Sequence, residues 1–183
     1  YWYRFHSATS TSAPGRARTL PAGRLDELRL AVFSCSNYPA GHFHAYAEAA
    51  RLDAIDAFVH LGDYLYEYGA GGYATERAEE LGRTLAPDNA GELYTLEDYR
   101  KRYALYRSDA NLKALHATAP MIAVWDDHEI ANDTWKGGAE NHGPDEGDFA
   151  QRRAAAVQAY FEWMPLRPIT PDAEGRIYRS FTF

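Results

Sequence analysis

Apolar and polar positions alternate from the first residue, where Tyr1, Tyr3 and Phe5 are interleaved with Trp2 and Arg4. A period of two puts the two sets on opposite faces, which predicts a β-strand. A lone strand needs a sheet, so residues 1–6 read as the terminal strand of a preceding β domain. Residues 7–26 lose the pattern in a run rich in Ser, Thr, Pro, Gly and Arg, and are expected to be a linker. Periodicity resumes with the apolar run Leu28 to Phe33. A helical stripe follows over His42 to Leu52, with Phe43, Tyr46, Ala47 and Ala50 on one face. A second apolar run, Ala57 to Leu61, completes a strand, helix, strand unit in which the two strands are parallel.

From Gly69 to Glu92 no period holds, and the segment reads as an excursion over the edge where the strands end. Thr95 and Asp98 have the spacing of a capping box, so a helix is expected to start there. Tyr99, Tyr103 and Tyr106 then fall at steps of four and three, giving it an aromatic face. Asp109 is placed to cap a shorter helix through Leu112 and Leu115 to His116, and Pro120 opens a third apolar run, Met121 to Val124. Beyond a polar loop from Gly137 to Asp148, Phe149 to Trp163 has helical character and Ile177 to Phe183 alternates like a strand. There is no internal repeat. The chain opens without Met in one strand pattern and ends in another, so it is expected to be part of a longer protein.

Composition narrows this α/β picture. A length of 183 residues with 46% hydrophobic content supports one cored domain and a piece of another. A net charge of -7 and a pI near 5.5 exclude a nucleic-acid surface, which needs clustered Lys and Arg. An anionic substrate would be repelled unless bound cations reversed the local field. Cys35 is the only cysteine, so no intrachain disulfide can form. No apolar run reaches the length of a membrane span.

Chemistry gathers where the apolar runs stop. Ser34-Cys35-Ser36-Asn37-Tyr38, Gly62-Asp63-Tyr64-Leu65-Tyr66-Glu67 and Trp125-Asp126-Asp127-His128-Glu129 each follow one. Strand ends at the carboxyl edge of a parallel sheet are where such folds bind ligands, so these three segments are expected to build one site. Asp63 and Tyr66 are three residues apart and able to face one ion, and the Asp63 carboxylate has an oxygen for each of two cations. Asp63 also has the position of a helix cap. The Cys35 thiolate suits a transition metal rather than calcium or magnesium, but a lone cysteine reads first as a buried apolar thiol. Asp126 and Asp127 repel each other unless a cation or donor stands by, and His128 reads as a metal ligand or as the acid that protonates a leaving oxygen. The competing reading makes Asp127 the N-cap of an acidic helix. His60 is expected in the core, and His42 and His44 on the surface. Arg100, Arg102 and Arg107 read either as phosphate-binding groups or as a solvated helix face.

These three motifs, with Thr95-Leu96-Glu97-Asp98-Tyr99-Arg100-Lys101-Arg102-Tyr103 and Tyr106-Arg107-Ser108-Asp109, resemble the PhoD-like alkaline phosphatases of the metallophosphoesterase superfamily. Gly15-Arg16-Ala17-Arg18-Thr19 resembles the exit from that family's small β-sandwich domain. The resemblance implies that residues 27–183 are the N-terminal part of a catalytic domain with an αββα sandwich. It also implies a centre of ferric iron and calcium. Carried over by motif, Cys35 and Tyr66 would bind iron and Asp63 would bridge the two cations. Asp127 stands where broader metallophosphoesterases have Asn in Gly-Asn-His-Glu, His128 matches the His, and Asp126 lies one residue ahead of the usual ligand. The implied reaction is hydrolysis of phosphate monoesters or diesters by a metal-bridging hydroxide, with His128 assisting departure, in an extracytoplasmic protein. Further ligands of the family lie C-terminal to this chain, whose only His after Glu129 is His142. The alternative is a non-catalytic domain that keeps the fold and binds a metal or a partner through its acidic loops.

Overall fold

The structure, a computed structural model, describes residues 1–19, 23–52, 54–166 and 177–182. The chain starts with β1 (Trp2–Tyr3) paired antiparallel to β2 (Gly15–Arg16), with Trp2 opposite Arg16 and Tyr3 opposite Gly15. Part of the expected linker is therefore a strand. Gly15 explains the fold-back, because a Cβ there would lie 2.3 Å from the Tyr3 ring that covers it. Positions 20–22 of that linker lie outside the described residues.

β3 (Leu30–Phe33), β4 (Ala57–His60) and β5 (Met121–Ala123) form a parallel sheet in the order β3-β4-β5. Phe33 turns its ring onto Tyr46 of α1 (His44–Ala50), at 4.7 Å between centroids, while its strand neighbours Leu30 and Val32 are exposed. Helix α1 is shorter at both ends than the stripe predicted, and crosses from β3 to β4. Two helices, α2 (Leu96–Ser108) and α3 (Ala110–Thr118), lead from β4 to β5, and α4 (Phe149–Trp163) follows. The Thr95 hydroxyl accepts from Asp98 N at 3.2 Å while the Asp98 carboxylate accepts from Thr95 N at 2.9 Å, completing the predicted capping box. Asp109 caps α3 by accepting from Asn111 N at 2.8 Å and Leu112 N at 3.0 Å. The aromatic stripe of Tyr99, Tyr103 and Tyr106 is fully buried, with Trp163 of α4 stacked on Tyr103 and the Tyr106 ring against Tyr38 and Phe43.

Two expectations are corrected. Residues 177–182 form no strand: Arg179 meets the end of β5 through its side chain, which donates to the Ala123 carbonyl, so the backbone does not pair there. Position 183 lies outside the described residues. Arg102 belongs neither to a solvated face nor to a phosphate site. It is buried and donates to the carbonyls of Tyr66 at 2.7 Å, Tyr68 at 2.8 Å, and Asn89 and Gly91 at 3.0 Å. One guanidinium thus satisfies four backbone acceptors that the irregular segment leaves without a ladder, fastening it to α2. Arg100 pairs with Glu162 of α4, and Arg107 donates to His116 at 3.0 Å.

Candidate metal centre

Because β3, β4 and β5 are parallel, their carboxyl ends share one edge, and the residues after each strand are brought side by side. Pairing continues past the strands: Leu61 N donates to Phe33 O at 2.8 Å, Cys35 N to Gly62 O at 3.1 Å and Ser36 N to Asp63 O at 2.7 Å. The backbone turns sharply at both exits. Cys35 has φ 60 and Asp63 φ 52, in the left-handed region that costs a non-glycine residue roughly 1–2 kcal/mol. Strain of that kind concentrates where side chains are held for function. Gly62, at φ 116, passes so close beneath the β5 exit that a Cβ would lie 2.3 Å from Asp126 N. Only glycine allows both the dihedral and the approach.

Buried Glu129 ties the exits together. Its carboxylate accepts from Tyr64 N at 2.6 Å, Asp126 N at 2.9 Å and Asp63 N at 3.1 Å. Asp127 caps no helix; its carbonyl accepts from Ile130 and Ala131 in a tight turn, and its side chain accepts from Asp133 N at 2.5 Å. His60 is a core residue, as expected, with Nε2 at 2.8 Å from Tyr46 Oη, and His42 and His44 are on the surface.

Five of the six anticipated side chains meet around Asp63. One oxygen of its carboxylate accepts from Cys35 Sγ and from Tyr66 Oη, each at 3.3 Å. Asp63, Asp127 and His128 offer ligand atoms that all lie within 4.8 Å of one another. Asp63 thus belongs to two donor sets, thiol with phenol on one side and carboxylate with imidazole on the other. Asp126 is exposed and falls outside the cluster; its backbone, not its side chain, is held by Glu129. The apolar reading of Cys35 is also corrected, since the residue is exposed at the edge of the site.

The order of His128 comes from a residue that strand-end spacing did not single out. Glu67, fully buried, sits 2.8 Å from His128 Nδ1 through one oxygen and accepts from Asn132 N and Asn141 Nδ2, each at 2.7 Å, through the other. The imidazole stacks on Tyr66, centroids 4.1 Å apart, and with Nδ1 on Glu67 its Nε2 is the free nitrogen. The signal was present in the sequence, as the residue directly after Tyr66, but a buried acceptor and a surface glutamate look alike there.

Electrostatics fit a cation. Burial raises the Asp63 pKa, the Cys35 hydrogen bond and nearby His128 pull it down, and Asp127 and Asp126 push it up, leaving it above the ordinary value. Burial, then the Asp63 charge, holds the Tyr66 phenol protonated far above its usual range, so a strongly charged metal is what would displace that proton. Burial lowers the His128 pKa, but the hydrogen bond and charge of Glu67, with Asp127 and Asp63, raise it further than burial lowers it. The decisive test is the second Asp63 oxygen, which is buried and has no hydrogen-bond partner. A desolvated carboxylate oxygen without a donor is unfavourable by itself and suited to a metal ion. The donor types divide likewise, thiolate and phenolate suiting a transition metal and carboxylate a hard cation.

Residues 30–183 match the model of the family described as PhoD-like phosphatase. The chain is similar to alkaline phosphatase D of Bacillus subtilis (strain 168), with 42% identity over 193 residues, covering 100% of this chain and 31% of that protein. It is also similar to a solved structure of PhoD, with TM-score 0.83 and 41% identity over 100% of this chain and 34% of that one. The chain therefore spans about a third of the length of these relatives.

Proposed function

This chain belongs to the PhoD-like phosphatase family, and from that premise we propose that it carries the strand-end half of a metal-dependent centre for hydrolysing phosphate esters. The observation that carries the proposal is Asp63, with one carboxylate oxygen shared by Cys35 and Tyr66 and the other buried without a partner. Cys35 and Tyr66 would hold ferric iron, Asp127 with His128 nearby would face calcium, and Asp63 would serve both. When bound, the cations would supply positive charge for the phosphoryl oxygens and lower the pKa of an attacking water.

The chain's own residues do the rest. Glu67 accepts the Nδ1 proton of His128, fixing the ring and leaving Nε2 to hold the proton that a departing alkoxide needs. Glu129 keeps Asp63 and Asp126 in register by their amides. Asp126 stands as an outer carboxylate beside the centre.

The remaining ligands would come from outside these 183 residues, given a chain that spans 31% of its relative. Exposed Leu30 and Val32 support the reading of β3-β4-β5 as one half of an αββα sandwich, with a second sheet packing there. Exposed β1, paired with β2, supports residues 1–6 as the end of a β domain; 7–26, which includes β2, would lead from it to a catalytic domain at 27–183. An extracytoplasmic location is proposed from the family.

Metal analysis and a visible spectrum of the whole protein test the centre. Iron and calcium together, with a tyrosinate absorption that vanishes in Tyr66→Phe and turnover of a chromogenic phosphate ester, are the expected results. Calcium without iron and no turnover would leave a non-catalytic domain that binds through its acidic loops.

A further inference from the structure

Next to the centre lies an open cleft of about 400 Å³ that shares Cys35 and Tyr66 with it. Its lining includes no Lys, Arg, Asp or Glu. Among the residues it does include are the aromatic side chains of Phe33, Phe43 and Tyr73, with His42. Tyr73 is the unusual one, for it is 62% exposed although its ring stacks on Tyr66 at 6.2 Å and 19°. Core packing does not account for an exposed ring. The loop nevertheless holds it there, because Asn37 Nδ2 donates to the Tyr73 carbonyl at 3.0 Å and the next residue, Ala74, is in the left-handed region at φ 57. Asn37 itself follows β3, so the platform is fixed to the strand end that carries Cys35.

A phosphoryl group at the centre would leave the rest of its ester to be accommodated nearby, and this cleft is contiguous with the donors. A second phosphate there would meet no cationic side chain, which disfavours polyphosphates and nucleoside di- or triphosphates. An uncharged ring has aromatic faces to lie on, and Ser34 and His42 for any hydroxyl groups. We propose that this cleft receives the alcohol portion of the substrate and selects an uncharged, ring-bearing leaving group, with Tyr73 as its stacking platform. The inference rests on the hydrolase reading of the centre.

The test compares phenyl phosphate with methyl phosphate in the whole, metal-loaded protein. Tyr73→Ala should lower kcat/KM for phenyl phosphate about five- to tenfold, the size of one aromatic contact, chiefly through KM. The loss for methyl phosphate should be smaller than that for phenyl phosphate, and Tyr73→Phe should behave as the wild type. Equal losses for both esters, or no change for either, would overturn the platform role. If the wild type hydrolyses neither ester nor the corresponding diesters, diphenyl and dimethyl phosphate, the hydrolase reading fails on its own. The cleft is then judged by calorimetry with phenylphosphonate and methylphosphonate: a phenyl preference lost in Tyr73→Ala upholds it, and equal affinities refute it.

Discussion

A proton on His128 can reach a leaving oxygen only from Nε2, because Nδ1 is held by Glu67. Glu67→Gln keeps the shape of that acceptor but removes its charge. We expect kcat to fall about 10–100-fold, as for other residues that orient a site histidine, with KM little changed. A KM rise with kcat intact would mean that Glu67 serves only to shape the pocket. Two other histidines answer to pH. Burial pushes His60 down to about 4, and burial followed by the Arg107 charge pushes His116 down to about 3. Both therefore fold neutral and must gain a proton to match the unfolded chain. Their contribution is complete above the unfolded pKa near 6.5 and is lost as pH falls toward 4 and then 3. Denaturant melts across that window should show stability dropping by up to about 1.4 kcal/mol per pH unit for each histidine, and His60→Gln should flatten the upper part.

At the scale of elements, the caps and the strand exits make opposite predictions. Thr95→Ala removes the capping box of α2 and should lower stability by about 1 kcal/mol, read as a shift in Tm, while leaving metal content unchanged. Gly62→Ala should do the reverse in kind. It places a Cβ against Asp126 N, so the β4 and β5 exits must separate and the Asp63, Asp127 and His128 donors with them. Loss of bound metal from a protein that still folds is the expected result; full occupancy would show that the close approach is dispensable. α2 and α3 were legible because each carries its own start signal, and α4 runs from Phe149 to Trp163 as its pattern predicts, whereas α1 has no side-chain cap and is shorter than its stripe. Residues 177–182 were misread because alternation records two faces and not whether an edge is available to pair.

For the whole molecule, the proposed centre implies that its acidic groups destabilise the fold until cations neutralise them. Asp63 and Asp127 lie close together at its heart, with Asp126 near enough to raise the Asp63 pKa. Removing metal with a chelator should lower Tm, and restoring calcium and iron should recover it, by about 2.7 kcal/mol at a hundredfold excess over Kd. An unchanged Tm would mean that the centre does not contribute to folding. Leu30 and Val32 of β3 are exposed, while on the neighbouring strands Val59 and Ile122 line a cleft with Ile177 and Phe181.

The sequence by itself determined which residue types stand after each strand, where α2, α3 and α4 begin, and that Cys35, Asp63, Tyr66, Asp126, Asp127 and His128 were chemically fit for one centre. These are local properties, written in period and spacing. Tertiary structure alone decided that Asp63 would sit between two donor sets while Asp126 fell outside, and that Glu67, Glu129 and Arg102 would be buried fasteners. Burial and partnership are set by residues distant in the chain, and a charged side chain shows its role only when the backbone groups it satisfies are in place.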